Sequence, residues 1–145
     1  MKYIAYGSNM SLEQMMHRCP HARLIGTGYL PQHRLEFFLH ATVEHDPRMR
    51  RGVPVAVFEI DEADETALDR YEGFPYYYTK ETATVNMRDG SKIDGMLYVM
   101  KLIRNAYPDR RYINGIVDAY IDLGFGPDIK KHLYKALDRA KQRIR

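Results

Sequence analysis

The run Lys2-Tyr3-Ile4-Ala5-Tyr6-Gly7-Ser8-Asn9-Met10-Ser11-Leu12-Glu13-Gln14 passes from a β-forming segment, through a polar turn, into a helix start. Lys2 to Tyr6 alternates and is rich in β-formers, which predicts a first strand that stops at Gly7. Ser11, followed three residues later by Gln14, has capping-box spacing, in which two side chains satisfy free amides of a first helical turn. A helix is therefore expected from Ser11 to the break at Pro20.

Outward from this unit, strands are expected at Ala22–Leu30, His33–Leu39 and Val53–Ile60, with a polar loop from Ala41 to Gly52 carrying Arg48, Arg50 and Arg51. A helix follows. Asp61 is its N-cap, Glu62, Asp64 and Glu65 load the first turn, Leu68 and Tyr71 form the inward face, and Gly73 with Pro75 ends it. Strands at Tyr77–Met87 and Lys92–Met100 flank the hairpin signal Asp89-Gly90. Helices at Arg110–Leu123, stopped by Gly124, and at Pro127–Arg143 complete the chain. Adjacent strands broken by single helices give an α+β class with a mixed or largely antiparallel sheet curled toward a barrel. With 145 residues and no linker or repeat, one domain spanning 1–145 is expected.

Composition narrows the function classes. Hydrophobic residues at 45% and charged residues at 28% are ordinary for a globular chain, and no apolar run approaches the ~20 residues that cross a bilayer. The N-terminus reaches glycine before it supplies a signal-peptide apolar region, so the expected location is the cytoplasm. One cysteine, Cys19, fits a reducing compartment and reads as a spectator. The net charge of +3 is too small to imply a polyanionic partner, although the first 100 residues sum to −3 and the remainder to +6. The basic end invites a nucleic-acid reading. Its cations, however, fall on a helix whose apolar stripe is Ile129, Leu133, Ala136, Leu137 and Ala140, so a solvated helix face is the expectation.

Three features carry chemistry. The turn Gly7-Ser8-Asn9, between a strand and a capped helix, aims backbone amides at one point and suits a carboxylate; the same residues also suit a plain strand-to-helix connection. Glu72, in the last turn of its helix and next to the apolar stripe, faces the negative end of the dipole, so its pKa is expected to rise into the range of a general acid–base. An exposed glutamate at a frayed helix end is the plainer alternative. Tyr71, Tyr76, Tyr77 and Tyr78, joined by Tyr98 and Tyr112, line a pocket or pack as core. Other motifs fail. Gly26-Thr27-Gly28 lacks the third glycine of a dinucleotide fingerprint, His40, Glu44 and His45 lack a metal-ligand spacing, and Ser8 lies in no nucleophile elbow.

Together the motifs resemble the γ-glutamylcyclotransferase-like superfamily, which includes AIG2-like proteins. Tyr6-Gly7-Ser8-Asn9-Met10 is similar to its substrate loop, and Leu68-Asp69-Arg70-Tyr71-Glu72-Gly73 to its L-D-x-x-E-G segment. Tyr78, Tyr98 and Tyr112 fall where the family has tyrosines, and Met10 stands where leucine is common. The resemblance implies an enzyme that releases 5-oxoproline from a γ-glutamyl amino acid or γ-glutamylamine. Glu72 would be the catalytic acid–base, with Tyr6, Gly7, Ser8, Asn9, Met10, Tyr78, Tyr98 and Tyr112 as substrate-binding residues. It further implies no metal or organic cofactor, a small-molecule partner rather than nucleic acid or membrane, and a monomer or homodimer. The segment Ala41–Gly52 aligns with no pattern and is a candidate border of the pocket. A non-catalytic module that binds a small acid in the same pocket is the alternative.

Overall fold

Val53-Pro54-Val55-Ala56-Val57-Phe58 is buried throughout and forms most of strand β5 (Val53–Glu59) in the computed structural model, which describes residues 1–145. A strand apolar on both faces needs cover on both. It is paired antiparallel on one edge with β1 (Lys2–Ala5), from Lys2↔Glu59 to Ala5↔Ala56, and on the other with β2 (Arg23–Leu30). β2 continues to β6 (Tyr78–Met87), and β6 to β7 (Lys92–Met100) through the Asp89-Gly90 turn. A parallel contact between β7 and β1, at Tyr3↔Met96, closes the five strands into a barrel of order β1-β5-β2-β6-β7. The α+β class with a barrel-like mixed sheet is thus the observed one.

Strand packing accounts for the second glycine of Gly26-x-Gly28. A Cβ there would run into the Asn86 carbonyl, so glycine is what lets β2 and β6 approach.

The Ala41–Gly52 expectation is corrected in part. Ala41 to His45 belongs to a strand, β4 (His40–His45), which pairs with β3 (His33–Phe38) as a separate two-stranded sheet from His33↔His45 to Phe38↔His40. Ala41, Thr42 and Val43 are buried, a short β-forming core hidden in the sequence between histidines and charges. The arginines that follow face elsewhere. Arg48 pairs with Asp46 at 3.0 Å, and Arg51 lies over the Tyr29 ring.

Four helices flank the sheets: α1 (Leu12–Arg18), α2 (Glu62–Glu72), α3 (Arg110–Asp122) and α4 (Lys135–Arg143). The last of these is preceded by a π-helical segment, Ile129–Tyr134, where a continuous helix is expected. Ser11 caps α1 by accepting from Gln14 N, half of the expected box, whereas Asp61 and Asp64 form the complete box on α2. Leu68 is buried as expected, but Tyr71 is 46% exposed, and Asp64 takes the second inward position. Asp64 is also where Cys19 rests, with its thiol donating to the Asp64 carbonyl at 3.6 Å and pushed up by burial to about 11.

The basic face of α4 is the other correction. Leu133, Ala136, Leu137 and Ala140 are buried as the stripe predicts. Arg139 and Arg143, though, turn inward onto Glu36 of β3, which is 1% exposed, at 2.7 and 3.2 Å. They also donate to the carbonyls of Leu35 and Phe37. A buried carboxylate requires paired cations, so part of the charge that reads as surface is structural.

Burial pushes His132 down to about 4, against the pull of Asp128. The folded protein therefore holds the imidazole neutral while the unfolded chain protonates it near pH 6.5. Stability should fall as pH drops from about 6.5 to about 4, by roughly 3 kcal/mol in total. Urea denaturation across this window checks it. The His132→Leu variant should lose that share of the slope, and an unchanged slope would assign the pH dependence to other groups.

Candidate active site

The first functional turn is set by β1. Buried Tyr3, Ile4 and Ala5 fix the strand in the barrel, and at Gly7 the chain leaves it into a short 3₁₀ turn, Ser8–Met10. The amides of Ser8 and Asn9 start a helical turn and have no carbonyl within it to pair with. Gly7 is packed closely: a Cβ there would lie 3.2 Å from Ala41 Cβ. Asn9 is buried and donates from Nδ2 to the Tyr3 hydroxyl at 3.0 Å, which draws the turn against β1.

Glu72 ends α2, and Gly73 follows in the left-handed conformation (φ +68°) that releases the chain toward β6. A Cβ at Gly73 would meet Tyr77 Cδ2 at 2.5 Å, so the turn is tight as well as left-handed. One helical turn earlier, Asp69 accepts from the Tyr98 hydroxyl at 2.6 Å and pairs with Lys80 of β6 at 2.8 Å. These bonds fix the end of α2 to the barrel mouth.

Both pieces open into one cavity of about 740 Å³, within the range of small-molecule sites. Gly7, Ser8 and Asn9 line it, and so does Glu72. Tyr6, Tyr78, Tyr98 and Tyr112 complete the set that the structure brings together. Met10 is the exception. It is fully buried and lies outside the lining, its side chain part of the hydrophobic core. Of the remaining tyrosines, Tyr71 and Tyr77 line the cavity while Tyr76 does not and is 74% exposed.

The hydroxyls of the tyrosines have defined tasks. Tyr6 donates to the Tyr98 carbonyl at 2.6 Å. Tyr78 donates to the Ala41 carbonyl and Tyr112 accepts from the Ala41 amide, both at 2.9 Å. Two tyrosines thus grip the backbone of one residue, Ala41, on both its sides and hold the hairpin tip, Phe38 to Ala41, as a cavity wall. Leu39 at that tip has φ of +68° and is tied by its amide to the Ala106 carbonyl at 2.7 Å. Ala41 is the only residue of the Ala41–Gly52 segment in the lining; its arginines do not border the site.

Burial pushes the Glu72 carboxyl up to about 7, opposed by the Arg18 charge. Burial also holds the hydroxyls of Tyr3, Tyr6, Tyr78, Tyr98 and Tyr112 protonated far above neutrality. The site therefore presents a carboxyl that exchanges protons near pH 7 beside neutral tyrosine hydroxyls, with His40, Arg70 and Arg104 also in its lining. A carboxyl poised in this way can take a proton from one nitrogen and return it to another. No group of three or more His, Cys, Asp or Glu side chains is arranged to hold a metal ion.

One cavity residue and one outside the lining escape a reading by spacing. Tyr3 reads as an ordinary strand tyrosine, yet it lines the cavity and lies edge-on to Tyr98 at 6.0 Å. Asp69 sits within a recognisable segment, and its i, i+3 relation to Glu72 is the one signal that both share a helix face.

The family model described as gamma-glutamyl cyclotransferase, AIG2-like, matches residues 3–115. No curated protein matches the sequence significantly. A solved structure named gamma-glutamyl cyclotransferase is similar with a TM-score of 0.81 at 23% identity, over 90% of this chain and 84% of that one. An uncharacterized protein from Homo sapiens gives 0.76 at 24% identity, over 90% and 83%. YkqA from Bacillus subtilis gives 0.74 at 18%, over 90% of this chain and 53% of its own. At these identities the structural likeness is one of fold. The family match reaches further, because it takes in the Ser8 turn, the end of α2 and every tyrosine of the cavity, and on that match the chain belongs to the gamma-glutamyl cyclotransferase, AIG2-like family.

Proposed function

We propose that this protein is a γ-glutamyl cyclotransferase-like enzyme that releases 5-oxoproline from a γ-glutamyl amino acid or γ-glutamylamine by intramolecular aminolysis. Family membership supports a cyclotransferase-like function in general. The observation that carries the finer reading is the shared cavity of Glu72, a carboxyl held near neutrality, and the amides of the Ser8 turn.

In this reaction the α-amino nitrogen of the glutamyl group attacks its own γ-amide carbonyl. A ring C–N bond forms, the original amide C–N bond breaks, and one proton moves from the attacking to the departing nitrogen. Glu72 is the carrier of that proton, first as carboxylate and then as acid. Both reactants belong to one molecule, so holding the chain folded supplies a large part of the rate, roughly 7–11 kcal/mol in well-oriented cases. The amides of Gly7, Ser8 and Asn9 hold the α-carboxylate or polarise the carbonyl. Tyr98 and Tyr112 orient the substrate. The partner is a small molecule and the setting cytoplasmic.

A panel of γ-glutamyl amino acids and γ-glutamylamines, glutathione included, incubated with the protein and read by mass spectrometry, should yield 5-oxoproline from at least one member. Binding of a panel compound that is always recovered intact would instead identify a binding module.

A further inference from the structure

Arg18 closes α1 and lies behind the cavity wall rather than in it. Its guanidinium carbon sits 3.5 Å from the centre of the Tyr71 ring. With the Gln14 amide oriented so that its oxygen faces donors, that oxygen accepts from Arg18 Nη1 at 2.6 Å, from Nη2 at 2.7 Å and from Ser8 Oγ at 3.2 Å. No carboxylate lies within ion-pair distance of Arg18, and its Nε is buried without an acceptor. Arg18 is half-buried, and leaving its Nε out of water with no acceptor is unfavourable. Surface stacking alone does not account for it, because Gln14 and Tyr71 lead to the two halves of the site: Ser8 on one side, the end of α2 on the other.

We propose that Arg18 is a positioning residue that, through Gln14 and Tyr71, ties the Ser8 turn to the Glu72 end of α2 and sets the positive field in which Glu72 works. The inference rests on the function proposed above. Around Glu72, β1 contributes Tyr3, the residue after that strand is Tyr6, β6 contributes Tyr78, β7 Tyr98 and α3 Tyr112, all uncharged at neutral pH. Arg70, Tyr71 and Asp69 come from its own helix, His40 from the hairpin tip, and Arg104 from the segment after β7. Among them Arg18 is the cation whose charge favours the Glu72 carboxylate. Arginine suits this task because its planar fork stacks on an aromatic ring and bridges one acceptor with two N–H groups at once; lysine does neither as well.

The test compares Arg18→Met and Arg18→Lys with the wild type. The first readout is the NMR titration of the Glu72 carboxyl carbon, assigned by its absence in Glu72→Gln. The second is the pH profile of kcat/KM with whichever panel compound is turned over. Arg18→Met should move the Glu72 midpoint and the acid limb of the profile to higher pH, lowering kcat/KM at pH 6 about three- to tenfold. Arg18→Lys should keep the midpoint and raise KM. A midpoint unmoved in folded Arg18→Met, or moved as far in Arg18→Lys, overturns the proposal. If Arg18→Met does not fold, Gln14→Leu decides, since it keeps the charge and cuts the tie to Ser8. The amide signals of Gly7, Ser8 and Asn9 should then shift while the Glu72 midpoint stays, and unshifted signals overturn the proposal. A wild type that cyclises nothing would reject the function proposed above, while the titration still reports on Arg18.

Discussion

Glu72→Gln should lower kcat/KM for 5-oxoproline release by about 10²–10⁴, with the residual rate flat across the range where the wild type rises. The exchange keeps size and shape. Glu72 accepts no hydrogen bond from the protein, so nothing else is left unpaired. The Glu72 carboxyl sits at about 7 in the folded protein, so wild-type kcat/KM should climb through that pH as the carboxylate forms, and the variant should lack this limb. The same residue has a stability signature of opposite sense. A carboxyl raised by burial favours the folded state when protonated, and that contribution is lost as pH rises from the unfolded value near 4.5 through about 7. Glu72→Gln should therefore be more stable than wild type at pH 8, by roughly 1–3 kcal/mol, and similar to it at pH 4. Greater stability with lost turnover separates a catalytic carboxyl from a structural one; undiminished product release would reject the proposed role.

Glu36→Ala should be the most damaging single change to the fold outside the hydrophobic core. Glu36 is the common partner of Arg34, Arg139 and Arg143, so one buried carboxylate joins the β3–β4 hairpin to α4. Removing one side of such a cluster typically costs 3–5 kcal/mol; here about 3 is expected, because the arginine side chains left behind are 28–37% exposed and regain water. For a chain of this size that corresponds to a fall in Tm of about 10 °C. The hairpin tip is also a wall of the cavity, so KM should rise in the variant at temperatures where it remains folded. Thermal unfolding with parallel kinetics checks both, and an unaltered Tm would mean that α4 docks through its apolar stripe alone.

Legibility in the sequence followed the range of the interactions. Strand and helix positions were readable from local signals: Ser11 and Asp61 as caps, Gly73 as the stop before the Tyr76–Tyr78 run, and Asp89-Gly90 as a turn. Glu72 and the Ser8 turn could be singled out because a carboxyl at a helix end and amides at a helix start are local electrostatic facts, and the structure places both in one cavity. What escaped was long-range. Thr42 is buried because β4 folds back on β3 and its hydroxyl receives the Met100 amide at 3.0 Å. Arg139 turns inward because Glu36 waits more than a hundred residues earlier in the chain. Met10 shows the same limit from the other side: adjacency to Asn9 suggested a place in the site, while a single turn of helix rotated it into the core.

The parallel contact of β1 with β7 has a consequence for biosynthesis. Ala5 must wait for Ala56 to be made, and Tyr3 for Met96. At translation rates of roughly 5–20 residues per second, the second wait is roughly 5–20 s. During that interval the β3–β4 hairpin can form from neighbouring segments, but the strand that carries the Ser8 turn remains an open apolar edge. The cavity is thus among the last parts of the nascent polypeptide to assemble, and until Met96 has been made its first strand keeps one edge unpaired.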